Sequence, residues 1–148
     1  MNIGVLGGTF DPPHDAHLRI AERSIDQFAL DKVIFIPSGN PWQKKDATSY
    51  RHRYEMTKIL IGDSNDLEIS DIENSEEKPS YTYETLKKLN HPKEELYFIL
   101  GSDAAINIKT WKNYELLSNL TNFLIALRSE DNIDCLLYTS DAADECSC

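Results

Sequence analysis

From Met1 to Asp134 the chain has no cysteine. That stretch can carry no disulfide framework and no thiolate metal site. Positive charge is also scarce. Fifteen Lys and Arg stand against 25 Asp and Glu, a formal net charge of −10. A general nucleic-acid binder needs a basic surface, so that class is excluded. Any anionic ligand must meet positive groups concentrated at one place. No apolar run reaches the length of a membrane span, and the N-terminus opens into a strand with no charged-then-apolar export segment, so the expected compartment is the cytoplasm. Two phosphate-loop patterns are missing as well. Gly4, Gly7 and Gly8 do not have the spacing of G-x-G-x-x-G, and no lysine follows them as in G-x-x-x-x-G-K-[ST]. There is no H-E-x-x-H, and His14 with His17 alone lack the third ligand of a zinc site.

A length of 148 residues fits one domain with one sizeable core. The three cysteines, Cys135, Cys146 and Cys148, all fall in the last fourteen residues. The segment CLLYTSDAADE, Cys135 to Glu145, resembles the translated transposon-end adaptor used to prepare DNA sequencing libraries, over eleven consecutive residues. Residues 135–148 are accordingly expected to be an artefactual tail, and residues 1–134 a single, partial domain.

Strand and helix patterns alternate along those 134 residues. Residues 2–6 read as a buried strand. Leu18, Ala21, Ile25 and Phe28 recur at helical steps between about Asp15 and Ala29. Lys32–Ile36 is a β-branched and aromatic run, hence a second strand. A helix is expected from about Ser49 to Ile61, capped by Thr48 or Ser49, and a short edge strand at Leu67–Ile69. Ser80 or Thr82 can cap a helix to about Leu89. Leu96–Leu100 and Thr121–Leu127 complete the strands, with broken helix from Ala104 to Leu117. This alternation predicts an α/β fold, a doubly wound and mostly parallel sheet with helices on both faces. Such sheets bind ligands beyond the carboxyl ends of their strands, where strand order reverses.

The first of those strand ends carries GGTFDPPHDAH, Gly7 to His17. Two glycines let the backbone turn sharply and let a ligand approach it. The helix that follows presents unpaired N–H groups, a setting that favours phosphate. His14 and His17, at i and i+3, share a helix face and can each donate a hydrogen bond to a phosphate oxygen.

GGTFDPPHDAH resembles the G-G-T-F-D-P-x-H-x-G-H signature of the nucleotidyltransferase superfamily, with Ala16 in place of a glycine. The resemblance implies a Rossmann-like nucleotidyltransferase fold, incomplete at its C-terminus. It also implies that Gly7, Gly8, the Thr9–Phe10 backbone, His14 and His17 hold nucleotide phosphates. Three later segments are similar to bacterial nicotinate-nucleotide adenylyltransferases. In PSGNPWQK, Pro37 to Lys44, Lys44 takes the place of a family lysine and is expected to swing onto a phosphate. In PSYTYETL, the residues Ser80, Tyr81 and Thr82 open a helix that faces the nicotinate ring and its carboxylate. Gly101-Ser-Asp103 and Thr110-Trp111 match a G-x-D and T-W pair; Asp103 is expected near a ribose hydroxyl, and Trp111 to stack on the pyridine ring. His52-Arg53-Tyr-Glu-Met56 matches a family helix in which Arg53 is expected to be structural.

The resemblance implies transfer of AMP from ATP to nicotinate mononucleotide, releasing pyrophosphate, with Mg²⁺ accompanying ATP, and with His14, His17 and Lys44 as the catalytic group. A nicotinamide-mononucleotide or other small-molecule adenylyltransferase, or a non-catalytic nucleotide-binding module, remains open at this point. The family's second phosphate clamp, I-S-S-T-x-x-R, is absent from the sequence. On that ground the chain as given is expected to bind ATP poorly and to turn over slowly.

Overall fold

The computed structural model describes residues 1–39, 48–74, 81–129 and 132–139. Six strands form one sheet: β1 (Ile3–Gly8), β2 (Lys32–Pro37), β3 (Leu67–Ile69), β4 (Leu96–Gly101), β5 (Asn122–Ser129) and β6 (Asn132–Thr139). Their spatial order is β3-β2-β1-β4-β5-β6. The first five are mutually parallel, and β6 runs antiparallel to β5. The parallel part is buried on both faces, which is why β1, β2 and β4 read as continuous apolar runs rather than as alternating ones.

Helices α1 (Asp15–Phe28), α2 (Tyr50–Ile61), α3 (Thr82–Leu89), α4 (Ser102–Ile106) and α5 (Tyr114–Leu117) connect the strands. Successive residues of a strand point to opposite faces, so Leu6 and Val5 enter different cores. On one face Leu6, Val33, Phe35 and Ile99 pack with Ile20 and Ala21 of α1. On the other, Val5, Ile36, Phe98 and Leu100 pack with Leu86 of α3 and Leu117 of α5. The stripe expected on α1 is broader than its large residues suggested. Its buried line includes Ala16, Ala21 and Ser24, with Leu18, Ile25 and Phe28 flanking it. Ser24 satisfies its hydroxyl locally by donating to the Ile20 carbonyl at 2.7 Å. Gly4 lies under this packing: a Cβ there would stand 2.9 Å from Leu30 Cδ1 and 3.0 Å from Ile99 Cδ1.

Three boundaries differ from the sequence reading. β1 extends two residues further, through Gly7 and Gly8, because both glycines still pair with β2, at Ile36 and Pro37. The residue capping α3 is Tyr81, not Ser80 or Thr82; Thr82 is already the first helical residue, and Ser80 lies outside the described residues. β5 is not the last strand. β6 follows it, and the boundary expected after Asp134 falls inside β6, where Cys135 is opposite Leu127 and Leu136 opposite Ala126. The added strand covers what would otherwise be an open β5 edge.

Strand order reverses between β1 and β4, since α1 carries the chain from β1 to one side and β4 returns on the other. The two carboxyl ends there are Gly7–Gly8 and Gly101, so the crevice of this sheet opens between two glycine-terminated strands.

Candidate nucleotide site

A cavity of about 520 Å³ fills that crevice. Its floor is formed by β1, β2 and β4, and it is walled by the loop after β1 and the start of α3. Gly7, Gly8, Thr9 and His17 line it from the end of β1 and the start of α1. Tyr81, Thr82, Gly101 and Trp111 line it from the start of α3, the end of β4 and the segment after α4. A Cβ built on Gly101 would meet nothing within 4 Å, so this strand end is open space available to a ligand.

The loop after β1 is held by groups that are not part of it. Arg53, only 1% exposed, projects from α2. Its guanidinium donates to four carbonyls: Thr9 at 3.0 Å, Ser38 at 2.6 Å, Gly39 at 3.2 Å and Thr48 at 2.6 Å. One cation thus joins the loops after β1 and β2 to the start of α2. The Ser38 amide adds a bond to the Gly8 carbonyl at 2.9 Å, and the Thr48 amide donates to Asp11 at 2.7 Å. The structural role expected for Arg53 is therefore concrete: it fixes the loop after β1, which lines the cavity. Phe10 has φ +52°, in the left-handed region that non-glycine residues seldom adopt. Its ring is 3% exposed and packs edge-on against His17, centroids 4.9 Å apart, and against Phe35. Buried ring contacts on this scale offset a local backbone cost of about 1–3 kcal/mol.

His14 is the cap residue of α1, and His17 stands three positions on. The His14 amide donates to His17 Nδ1 at 3.1 Å. An accepting Nδ1 has no proton, so the ring proton of His17 sits on Nε2. That leaves Nε2 as the ring donor of His17. The two rings lie 4.2 Å apart. Only His17 lines the cavity; His14 is exposed and backs it. Ala16, which stands where the resemblance has glycine, is 4% exposed and fits without displacing the helix start.

Trp111 follows a short 3-10 turn and meets Phe98 edge to face, centroids 6.0 Å apart and planes at 84°. That contact uses the indole's edge relations to hold the ring at the cavity wall. Thr85, one turn into α3, donates to Glu73 Oε2 at 2.6 Å. Lys112 pairs with Glu84 Oε1 at 3.2 Å and lies 4.7 Å from the centre of the Tyr81 ring.

Eight of the residues expected from sequence therefore share one cavity: Gly7, Gly8, Thr9 and His17, together with Tyr81, Thr82, Gly101 and Trp111. Phe10 does not line it; its side chain belongs to the core, which leaves its backbone alone for the phosphate role. Lys44 and Ser80 lie outside the described residues. The backbone of Asp103 is in α4, one residue past the helix start, and its side chain is outside the described set. Glu73, Thr85 and Lys112 line the cavity without having been singled out. Glu73 lies in a polar, acidic stretch from Asp71 to Pro79 whose composition reads as a loop, and the only signal for Lys112 is that it follows Trp111.

Among the described residues, no group of three or more His, Cys, Asp and Glu is placed to hold a metal ion. No described helix is long and apolar enough to cross a membrane.

An open parallel sheet with its switch-point cavity between a glycine-terminated strand and a histidine-started helix is the architecture that the nucleotidyltransferase resemblance implies. The family model described as cytidylyltransferase-like matches residues 5–147. A probable nicotinate-nucleotide adenylyltransferase of Desulfatibacillum aliphaticivorans is 45% identical over 130 residues, covering 86% of this chain and 60% of that protein. The one from Clostridium novyi is 42% identical over 146 residues, covering 96% of this chain and 73% of its own length. Among solved structures, the Plasmodium falciparum nicotinic acid mononucleotide adenylyltransferase complexed with NaAD superposes with a TM-score of 0.75 at 28% identity, covering 90% of this chain and 67% of that one. The chain belongs to the cytidylyltransferase-like family and, within it, to the nicotinate-nucleotide adenylyltransferases. It spans about 60% of the length of the first of these curated relatives.

Proposed function

We propose that this protein joins ATP and nicotinate mononucleotide into nicotinate adenine dinucleotide, with release of pyrophosphate, as a cytoplasmic step of NAD biosynthesis. The observation that carries the reading is the single cavity that Gly7, Gly8, His17 and Trp111 line together. A Gly-Gly turn suits phosphate, and an indole suits an electron-poor ring. The relative of known structure that carries NaAD supports the same substrate pair.

The reaction needs little covalent help from protein. A phosphate oxygen of the mononucleotide attacks the α-phosphorus of ATP; a new P–O bond forms as the bond to pyrophosphate breaks. What the protein must supply is in-line alignment and donors for the spreading negative charge. In this reading the Nε2–H of His17 donates to a phosphate oxygen, His14 holds that ring, and the Thr9–Phe10 backbone is kept open to phosphate by Arg53. Lys44 supplies a cation, Asp103 meets a ribose hydroxyl, and Ser80, Tyr81 and Thr82 face the pyridine carboxylate. Mg²⁺ accompanying ATP would supply neutralisation of the phosphate charge. We further propose that residues 1–134 form the nucleotidyltransferase domain and that residues 135–148 are an appended tail.

The test is direct. The purified chain is incubated with ATP, Mg²⁺ and nicotinate mononucleotide, and the dinucleotide and pyrophosphate are quantified. The expected result is equimolar formation of both, dependent on each substrate. Binding of both nucleotides with no dinucleotide after prolonged incubation would establish the binding-module reading instead.

A further inference from the structure

We propose that the side-chain ammonium of Lys112 selects the acid mononucleotide over the amide. The inference rests on the adenylyltransferase reading and concerns the pyridine end of the same cavity. Nicotinate and nicotinamide mononucleotides carry the same positive ring and the same phosphate. They differ in one substituent, a carboxylate against a carboxamide. Stacking on Trp111 acts on the ring and cannot tell them apart. A charge on the cavity wall can.

Among the described residues lining the cavity, the fully charged side chains are Glu73 and Lys112. Glu73 is held by the Thr85 hydroxyl at 2.6 Å, and its carboxylate repels a second one. Glu73 alone would therefore turn the site toward the amide. Lys112 reverses that preference. It is adjacent to Trp111 in the chain, and its ammonium lies 4.7 Å from the ring centre of Tyr81, the residue that caps α3. The cation thus stands at the ring of the residue that caps α3, a helix whose N-terminal end favours an anion. Its present partner does not hold it firmly. The pair with Glu84 spans 3.2 Å between side chains 49% and 50% exposed, and such pairs are worth little. A four-carbon stem lets the ammonium leave Glu84 for a carboxylate that enters the cavity, where the exchange gains from lower solvent screening.

Calorimetric titration of each mononucleotide into the whole chain tests this without depending on turnover. The parent protein is expected to bind the acid more tightly than the amide. Lys112→Gln should weaken acid binding about tenfold and leave amide binding within about twofold, as one charge-assisted hydrogen bond is lost. Lys112→Arg should restore most of the preference, which a merely structural role for the side chain would not do. An unchanged acid-to-amide ratio in Lys112→Gln overturns the assignment while leaving the adenylyltransferase reading intact. A parent protein that binds neither mononucleotide overturns both. Because Lys112 is half exposed, thermal unfolding of the variant should match the parent, and Lys112→Met provides a second neutral replacement with the same expectations.

Discussion

The two ends of the cavity that we assign by proposal to phosphate and to pyridine are built on different principles. The phosphate end is mostly backbone, drawn from one contiguous stretch and locked from behind by a buried arginine. The pyridine end is mostly side chains, contributed by the α3 start, the loop after β3 and the segment after α4. One end presents fixed dipoles to a group that every nucleotide shares. The other presents exchangeable side chains to the group that distinguishes one substrate from another. The first therefore has little freedom to vary without losing the fold around it, and the second can be altered residue by residue.

The largest expected effect tests whether the phosphate end is structurally inseparable from the fold. Arg53→Ala removes donors from the carbonyls of Thr9, Ser38, Gly39 and Thr48 at once. Leaving buried acceptors unsatisfied costs ~1–3 kcal/mol each, reduced where water can enter, so a loss of about 3–5 kcal/mol is expected. Urea unfolding followed by circular dichroism measures it. Arg53→Lys should recover only part, because an ammonium cannot reproduce the guanidinium fork. A loss under about 1 kcal/mol for the alanine variant would break the contrast between the two ends.

A smaller effect, on turnover rather than stability, is expected from His17→Ala. It removes the Nε2–H donor and the acceptor for the His14 amide together. The missing donor to a phosphate oxygen corresponds to about 1.5–3 kcal/mol, a fall in kcat of roughly tenfold to a few hundredfold. The lost contact at the helix start adds ~0.5–2 kcal/mol of destabilisation. Steady-state rates within about twofold of the parent would remove His17 from the phosphate end.

This division also explains what the sequence made legible. GGTFDPPHDAH is local, so its glycines and histidines could be assigned to one strand end and one helix start before any coordinates were known. The doubly wound, mostly parallel sheet followed from strand–helix alternation, but the spatial order of its strands did not. Arg53 could be expected to be structural, but not which carbonyls it binds, since Thr9 and Ser38 meet it only after β1, β2 and α2 have packed. Glu73 and Lys112 were invisible for the same reason. They stand 39 positions apart in the numbering and enter one cavity only because Thr85 and Tyr81 of α3 lie between them. β6 escaped for a different reason. Its pattern is apolar and would have read as a strand, but the segment from Cys135 had been set aside on its resemblance to adaptor sequence.

The smallest expected effect sharpens the contrast at the pyridine end. Trp111 meets Phe98 edge to face, so its role in the cavity does not depend on a hydrogen bond or a charge. Stacking of a positive ring on an indole is worth ~0.5–2 kcal/mol. Trp111→Ala should therefore raise the KM for the mononucleotide about two- to thirtyfold while leaving the KM for ATP near that of the parent. Trp111→Phe should fall between them. Because acid and amide mononucleotides present the same ring, Trp111→Ala should weaken both by the same factor, whereas Lys112→Gln should weaken the acid alone. Those two signatures cannot arise from one cause: a uniform loss reports the stacking surface, and a selective loss reports charge. If Trp111→Ala raised the KM for ATP as strongly as that for the mononucleotide, the two ends would not be separable, and the indole would be serving the shape of the whole cavity rather than one of its ends.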